Sequence, residues 1–424
     1  MKKNFLFACL TVGLLTLSSC SLFNDDDMAI SNKYNPPKSI VSSLDPNAVV
    51  TKGVASIDNE KTPNAYCFKN ICYANNERVV NTYKTGGINH KEYNVNGGED
   101  YYANKANNNY DLYVPKTMDK ANKHTVILFI HGGAWVSGFK TDVNSYVHEF
   151  ANKGYITATI KYSLLKRTMD NPSLSIFRNL DEIDACIASI KSALGELGFD
   201  TSKTNLVIGG ASSGAHLAML YSYSRGQRSE LPIKFIIDAV GPVNIKPDCW
   251  KKFDNASDAV LNAGLSASAI QTQKTNGNIS ELPVSGEGYN WNNYQTMRIA
   301  NGMCGLPYSL SDVEASTDSN KENITNPNAA STSMTKSGGG EDQLSVTYWM
   351  TGTNKYPMVC AYAGRDSIVG IAQYAALQTA MDANGISYEY TYFKESDHIE
   401  ITKEKDATAY NSFISQIQTK LNSI

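Results

Sequence analysis

The chain is poor in histidine, holding only six in 424 residues, and it has no Cys-x-x-Cys pair or His-rich run. Protein metal sites draw on such clusters, so no metal is expected. A basic excess is also missing: 38 Lys and Arg against 41 Asp and Glu leave a net charge of −3 and a pI near 6.1. A nucleic-acid footprint needs a basic face, so no nucleic-acid partner is expected. The apolar run from Phe5 to Leu17 falls short of the roughly 20 residues that a membrane-spanning helix needs. Hydrophobic residues make up 42% of the chain, with 25 Tyr, a globular composition that argues against disorder.

What is present begins with a targeting pattern. Lys2 and Lys3 precede the apolar run, and Leu17-Ser18-Ser19-Cys20 follows it, as a charged n-region and h-region would be arranged. The last four residues resemble the lipobox of bacterial lipoproteins. That resemblance implies cleavage before Cys20, lipidation of Cys20, and a membrane attachment through this lipid anchor. Ser21 is not the Asp of an inner-membrane retention signal, which implies an exported lipoprotein of the outer membrane. The triplet Asp25-Asp26-Asp27 resembles a surface-export signal and equally suits a solvated tether. The expected organisation is a signal peptide over residues 1–20, a flexible tether over 21–45, and one catalytic domain from 46 onward.

Of the remaining cysteines, Cys67 and Cys72 are close enough in sequence to close a small loop. Cys249 and Cys304 are placed to staple a polar insertion, and Cys186 and Cys360 fall in apolar patterns and read as buried thiols. Spacing alone does not fix the pairing.

From Tyr110 onward, strand and helix patterns alternate. Tyr110 to Pro115 alternates and ends in Pro, as an edge strand does, and residues 46–108 suit edge hairpins. Val126–Ile130, Tyr155–Ile160, Leu206–Ile208, Phe235–Val240, Met358–Tyr362 and Tyr388–Phe393 read as strands. Helical spacing marks Val143–Asn152, Ile176–Leu197, Ile371–Met381 and Ala407–Leu421. Such alternation predicts an α/β fold with a mostly parallel central sheet flanked by helices. Residues 245–350 break the rhythm, being rich in Asn, Ser, Thr and Gly. So long a loop is expected to be functional, and we read it as a cap-like insertion over the site, with helices near 260–270 and 292–301.

The sharpest feature is Gly210-Ala211-Ser212-Ser213-Gly214, set between an apolar strand and the helix-like run from Ala215. Strand, G-x-S-x-G, helix is the context of a nucleophile elbow, in which the turn lifts the Ser212 hydroxyl out of the sheet. A hydroxyl nucleophile needs a base, an acid to orient it, and donors for the oxyanion. His398, in the polar loop after the last strand, is placed to be the base. Asp366, in the loop after the preceding strand, is placed to be the acid. Neighbouring Asp397 is expected to point away. His131-Gly132-Gly133-Ala134-Trp135 follows a strand directly, so the N–H groups of Gly132 and Gly133, with that of Ser213, are the expected oxyanion donors. His131 is expected to prop that loop. His216 sits too far round its helix to reach Ser212 and is expected to pack against the His131 loop. His90, His124 and His148 suit surface positions.

The chain order Ser212, Asp366, His398 with the motifs HGGAW, GASSGAHLA and GRDSIV resembles the carboxylesterase branch of the α/β hydrolases. The resemblance covers about three quarters of the chain, from Tyr110 to the C-terminus. The hormone-sensitive-lipase-like and feruloyl/acetyl esterase-like families are the most similar. It implies an α/β-hydrolase fold and a cofactor-free serine carboxylic-ester hydrolase acting through an acyl-enzyme. Ser213 stands where many relatives carry Ala, and the 245–350 region is longer and more polar than usual. Export, the lipid anchor and abundant Tyr, with Trp135 as a stacking surface, suit acylated carbohydrates outside the cytoplasm; small esters suit the site equally. A surface binding protein built on an inactive hydrolase fold, or a peptidase or lipase of the same fold, remain alternatives.

Overall fold

The computed structural model describes residues 61–73, 109–135, 138–164, 176–245, 249, 251–253, 262, 264–277, 281–283, 344–351 and 353–424. The signal segment, Cys20, the tether, residues 284–343 of the insertion, Cys304 and His90 lie outside these residues.

An eight-stranded sheet organises the described residues. Its strands in chain order are β1 (Ala65–Cys72), β2 (Asn109–Pro115), β3 (His124–Ile130), β4 (Ile156–Lys161), β5 (Thr204–Ala211), β6 (Ile233–Ala239), β9 (Met358–Ala363) and β10 (Tyr388–Phe393). The missing numbers belong to a small ribbon of β7 (Lys251–Phe253) and β8 (Glu281–Pro283) within the insertion. Across the sheet the order is β1-β2-β4-β3-β5-β6-β9-β10. The pairs of β1 with β2 and β2 with β4 are antiparallel, and every later pair is parallel.

The parallel strands are buried on both faces because helices cover both. On one face lie α1 (Asn144–Asn152) and α7 (Ala407–Asn422); on the other lie α2 (Ile176–Glu196), α3 (Ser213–Arg225) and α6 (Ile371–Asn384). Alternate residues of one strand serve opposite cores. Val126, Leu128 and Ile130 of β3 face the α2–α3 side, and Ile127 and Phe129 face the α1–α7 side. Each such side chain contributes roughly 1.5–3 kcal/mol by leaving water, so these continuous apolar runs fix the centre of the sheet.

The 109–115 strand is not at the edge: β1 pairs along its outer side, and all seven of its residues are buried. The polar residue in that alternation, Asp111, is buried beside Asn109 and Lys140, whose Nζ lies 2.7 Å from Asn109 Oδ1 and from Asp111 Oδ1. Cys67 and Cys72 cannot bridge, because both lie on β1. Five residues of strand separate Cα atoms by about 16 Å, against the 4.4–6.8 Å usual for a disulfide. His124 is not on the surface; it opens β3, buried against Phe199, with Nε2 2.7 Å from Asp119 O.

The insertion is held at its neck. Thr347 N donates to Val243 O, Ile245 N donates to Ser345 Oγ at 3.0 Å, and buried Gln373 of α6 accepts from Val243 N and Asn244 N at 2.8 and 2.9 Å. Residues 245–350 contain strand after all, in the β7–β8 ribbon, a helix α4 (Ala267–Thr275) later than expected from periodicity, and a short helix α5 (Val346–Trp349). Ser266 caps α4 by accepting from Ala269 N, a signal that outweighs the weak apolar spacing before it. Both β7 and α4 pack on α6. The expected helix at 292–301 lies outside the described residues.

Candidate active site

The C-terminal ends of β3, β5, β9 and β10 converge, and the loops leaving them carry the candidate residues. Ser212 joins β5 to α3 with φ 54° and ψ −124°, a conformation that costs a non-glycine residue of order 1–3 kcal/mol. Neighbouring backbone holds it there: Ser212 N donates to Ala239 O at 2.8 Å, and His216 N donates to Ser212 O at 3.0 Å. The flanking glycines are required by contact. A Cβ on Gly210 would lie 2.5 Å from Ile130 O and from Gly214 C, and one on Gly214 would strike Ile130 O and His131 O. The elbow therefore presses directly on the end of β3, where the His131 loop begins.

His398 and Asp366 complete the cluster. His398 Nε2 lies 2.8 Å from Ser212 Oγ, and His398 Nδ1 lies 2.8 Å from Asp366 Oδ2. The partners settle the tautomer. Carboxylate Asp366 only accepts, so Nδ1 carries the proton and Nε2 accepts from the Ser212 hydroxyl. Asp366 Oδ1 accepts from Ile368 N at 2.8 Å and Val369 N at 2.7 Å. That turn fixes the carboxylate plane, and Gly370 stands at the N-cap of α6. Asp397 points elsewhere, accepting from Ser367 N, Ser367 Oγ and its neighbour's backbone His398 N. Burial pushes the His398 pKa down, but the charge and hydrogen bond of Asp366, aided by the charge of Asp397, outweigh it; the net shift is upward. The imidazolium is thus favoured by its setting.

The His131 loop lies against the elbow. A Cβ on Gly132 would sit 3.0 Å from Ala211 O and 3.2 Å from Ser212 Cβ. Gly133, Ala134 and Trp135 all have positive φ, of 112°, 50° and 62°. Ser213, the first residue of α3, presents its N–H at a helix N-terminus, where backbone donors and the helix dipole favour negative charge. His131 is fully buried; its Nδ1 is 2.7 Å from Gly132 O, and burial lowers its pKa to about 4. A neutral, wedged ring is a prop.

Sequence reasoning missed the backing of this loop. Tyr162 stacks on His131 with ring centroids 4.3 Å apart and donates Oη to His131 O at 3.2 Å. Its position just beyond β4, level with the end of β3, was the available signal. Trp135 is a correction: it is buried and its Nε1 donates to His216 Nδ1 at 3.3 Å, so its face is not offered to a sugar. His216 packs against Trp135 edge-on.

Comparison with known proteins follows the same outline. Residues 110–280, less than half of the chain, match the family described as BD-FAE. A stretch of 117 residues is 29% identical to the probable isoprenylcysteine alpha-carbonyl methylesterase ICME of Oryza sativa subsp. japonica, covering 28% of this chain and 26% of that protein. Another of 153 residues is 28% identical to the non-reducing polyketide synthase adrD of Penicillium rubens, covering 34% of this chain and 6% of that protein. The chain thus spans about a quarter or less of the length of these curated relatives. Among solved structures, an inhibited esterase B from Lactobacillus rhamnosis superposes with a TM-score of 0.50 at 12% identity, over 98% of this chain and 97% of that one. With this strand order and the strand–turn–helix at Ser212, that superposition identifies the chain as a protein of the α/β-hydrolase fold.

Proposed function

We propose that the chain is a serine carboxylic-ester hydrolase acting through an acyl-enzyme. One observation carries the reading: the unbroken hydrogen-bond path from Ser212 Oγ through the His398 ring to Asp366. Such a path has a direct chemical use. His398 Nε2 takes the Ser212 proton as Oγ attacks the ester carbonyl, and Asp366 holds the ring and balances the imidazolium. The oxyanion is received by the N–H groups of Gly132, Gly133 and Ser213, which need no reorganisation once the loop is set. Collapse of the tetrahedral intermediate expels the alcohol with the proton from His398. Water, deprotonated by His398, then releases the acid and restores Ser212. The rice relative is by name a methylesterase, which is also carboxylic-ester chemistry.

For the substrate we infer acyl esters of carbohydrates outside the cytoplasm. The support is the lipobox-like Leu17-Ser18-Ser19-Cys20 after a short apolar run, which suits an exported lipoprotein anchored at Cys20 in the outer membrane. The test is hydrolysis of p-nitrophenyl acetate and butyrate, then of acetylated and feruloylated glycans, by protein beginning at Ser21. Loss of hydrolysis in Ser212→Ala with an unchanged melting temperature supports the mechanism. Equal, trivial rates in both proteins contradict it. Release of acid from small esters but from no glycan contradicts the substrate alone.

A further inference from the structure

His216 is fully buried on the first turn of α3, yet it belongs to neither the path through His398 nor the oxyanion donors. Its two ring nitrogens have partners of opposite character. Trp135 Nε1 can only donate, and it lies 3.3 Å from Nδ1; Leu344 O can only accept, and it lies 2.7 Å from Nε2. The tautomer is therefore fixed, with the proton on Nε2 and a neutral ring. Burial, which lowers the His216 pKa to about 4, keeps it so.

The two partners are distant in sequence and different in role. Trp135 ends the His131–Trp135 loop, where Ala134 and Trp135 both hold left-handed backbone. Two such residues in succession are strained and stay so only where surroundings over-determine them. Among the described residues the Trp135 indole is held by buried packing and by the bond to His216. Leu344 belongs to the neck of the insertion, immediately before Ser345, which accepts from Ile245 N across the neck. His216 thus joins, through one side chain, the neck of the insertion to the end of the glycine loop.

We propose that His216 is a positioning residue: with its accepting nitrogen set by the tautomer that Leu344 O fixes, it holds Trp135, and through it the backbone of Gly132 and Gly133, in the conformation that receives the oxyanion. The inference rests on the ester-hydrolase reading for its kinetic consequence, and on geometry alone for the coupling. A loop released from this tether still admits substrate but presents its N–H groups poorly. The loss then falls on kcat, because the donors matter most where charge develops.

The side-chain geometry separates the two arms. In His216→Asn, Oδ1 occupies the place of Nδ1 and still accepts from Trp135, while the arm to Leu344 is lost. In His216→Gln, the amide nitrogen takes the place of Nε2 and still donates to Leu344 O, while the arm to Trp135 is lost. His216→Phe loses both, and Trp135→Phe removes the donor only. The proposal expects kcat for p-nitrophenyl acetate to fall about 10- to 100-fold in His216→Gln, His216→Phe and Trp135→Phe, with KM within about threefold. His216→Asn should recover most of that loss. A purely structural role predicts instead that kcat follows melting temperature across all four variants, and that result overturns the proposal.

Amide hydrogen exchange over residues 131–135 reads the coupling without turnover. It should rise in His216→Gln and Trp135→Phe and stay near the parent level in His216→Asn. Unchanged exchange in His216→Gln overturns the coupling whether or not esters are hydrolysed. Raised exchange in a protein that hydrolyses no ester sustains the coupling and sinks only the hydrolase reading.

Discussion

His398 Nδ1 lies 2.8 Å from Asp366 Oδ2, across the loops that leave two neighbouring parallel strands. The bond turns the Nε2 edge of the imidazole toward Ser212 and dictates which nitrogen is bare. Asp366→Asn keeps the bonds from Ile368 N and Val369 N through its oxygen but turns an N–H toward Nδ1, forcing the wrong tautomer. The expected result is a loss of about 10³–10⁴ in kcat with a folded, cooperative melt. Ester hydrolysis measured beside the melting curve checks it.

Asp397 offers a finer test, because it raises the His398 pKa through charge without touching the ring. Hydrolysis needs neutral His398, so kcat/KM falls as pH drops through its pKa, at a pH above the ordinary histidine value near 6.5. Asp397→Asn removes the charge and retains the shape. Its acidic limb should move to lower pH, while the plateau rate changes little. A limb that stays in place, or moves upward, contradicts the assignment of that limb to His398.

Two glycines at the elbow predict different failures. In Gly214→Ala the new methyl meets backbone carbonyls at the end of β3 that cannot yield, so soluble folded protein should be lost. In Gly132→Ala the contacts are 3.0 Å to Ala211 O and 3.2 Å to Ser212 Cβ. Relief by a few tenths of an ångström costs about 1–3 kcal/mol, and it displaces the N–H proposed to receive the oxyanion. A stable protein with kcat reduced about 10²-fold is expected; full activity would remove Gly132 from the oxyanion site.

Asp238 predicts a pH-dependent stability. Its Oδ1 accepts from Gly241 N at 2.8 Å, while Tyr362 Oη lies 2.8 Å from Oδ2 and 2.7 Å from Gly241 O. A phenol has one proton and cannot donate fully to both. A protonated Asp238 resolves this by donating to Tyr362, which donates to Gly241. Burial accordingly raises the Asp238 pKa to about 7, above its unfolded value near 3.9. The stability from holding that proton is full below the lower value and is lost as pH rises toward and through about 7. Asp238→Asn reproduces the bonds with no ionisation. Its melting temperature should gain on the parent from about pH 4 to about pH 7 and level off above that, and a constant difference would contradict a protonated Asp238.

Much of this was legible in sequence because it rests on local patterns. The apolar runs of β3 and β5 and the glycines around Ser212 are consequences of burial and close approach, which residue type records. The loops after β9 and β10 could be placed once the strands were, so Asp366 and His398 were within reach. What escaped was polar and long-range. Glu182 is fully buried in α2, accepting from Ser163 N and Ser163 Oγ at 2.8 and 2.6 Å, and helical periodicity assigns such a residue to the surface. Trp135 was read as a sugar platform because nothing local reveals that His216, 81 residues later, takes its indole N–H. The place of β2 inside the sheet likewise depended on β1, a partner whose alternation is short and whose register shifts between Phe68 and Ile71.

Ser212 as a nucleophile activated by His398 can be probed with a mechanism-based phosphorylating agent. Treatment with diethyl p-nitrophenyl phosphate, followed by intact mass and peptide mapping, tests it without knowledge of the substrate. One diethylphosphoryl group per chain is expected, on Ser212, forming far more slowly in His398→Ala and not at all in Ser212→Ala. No modification of the folded parent protein, or modification that persists unchanged in Ser212→Ala, would contradict it.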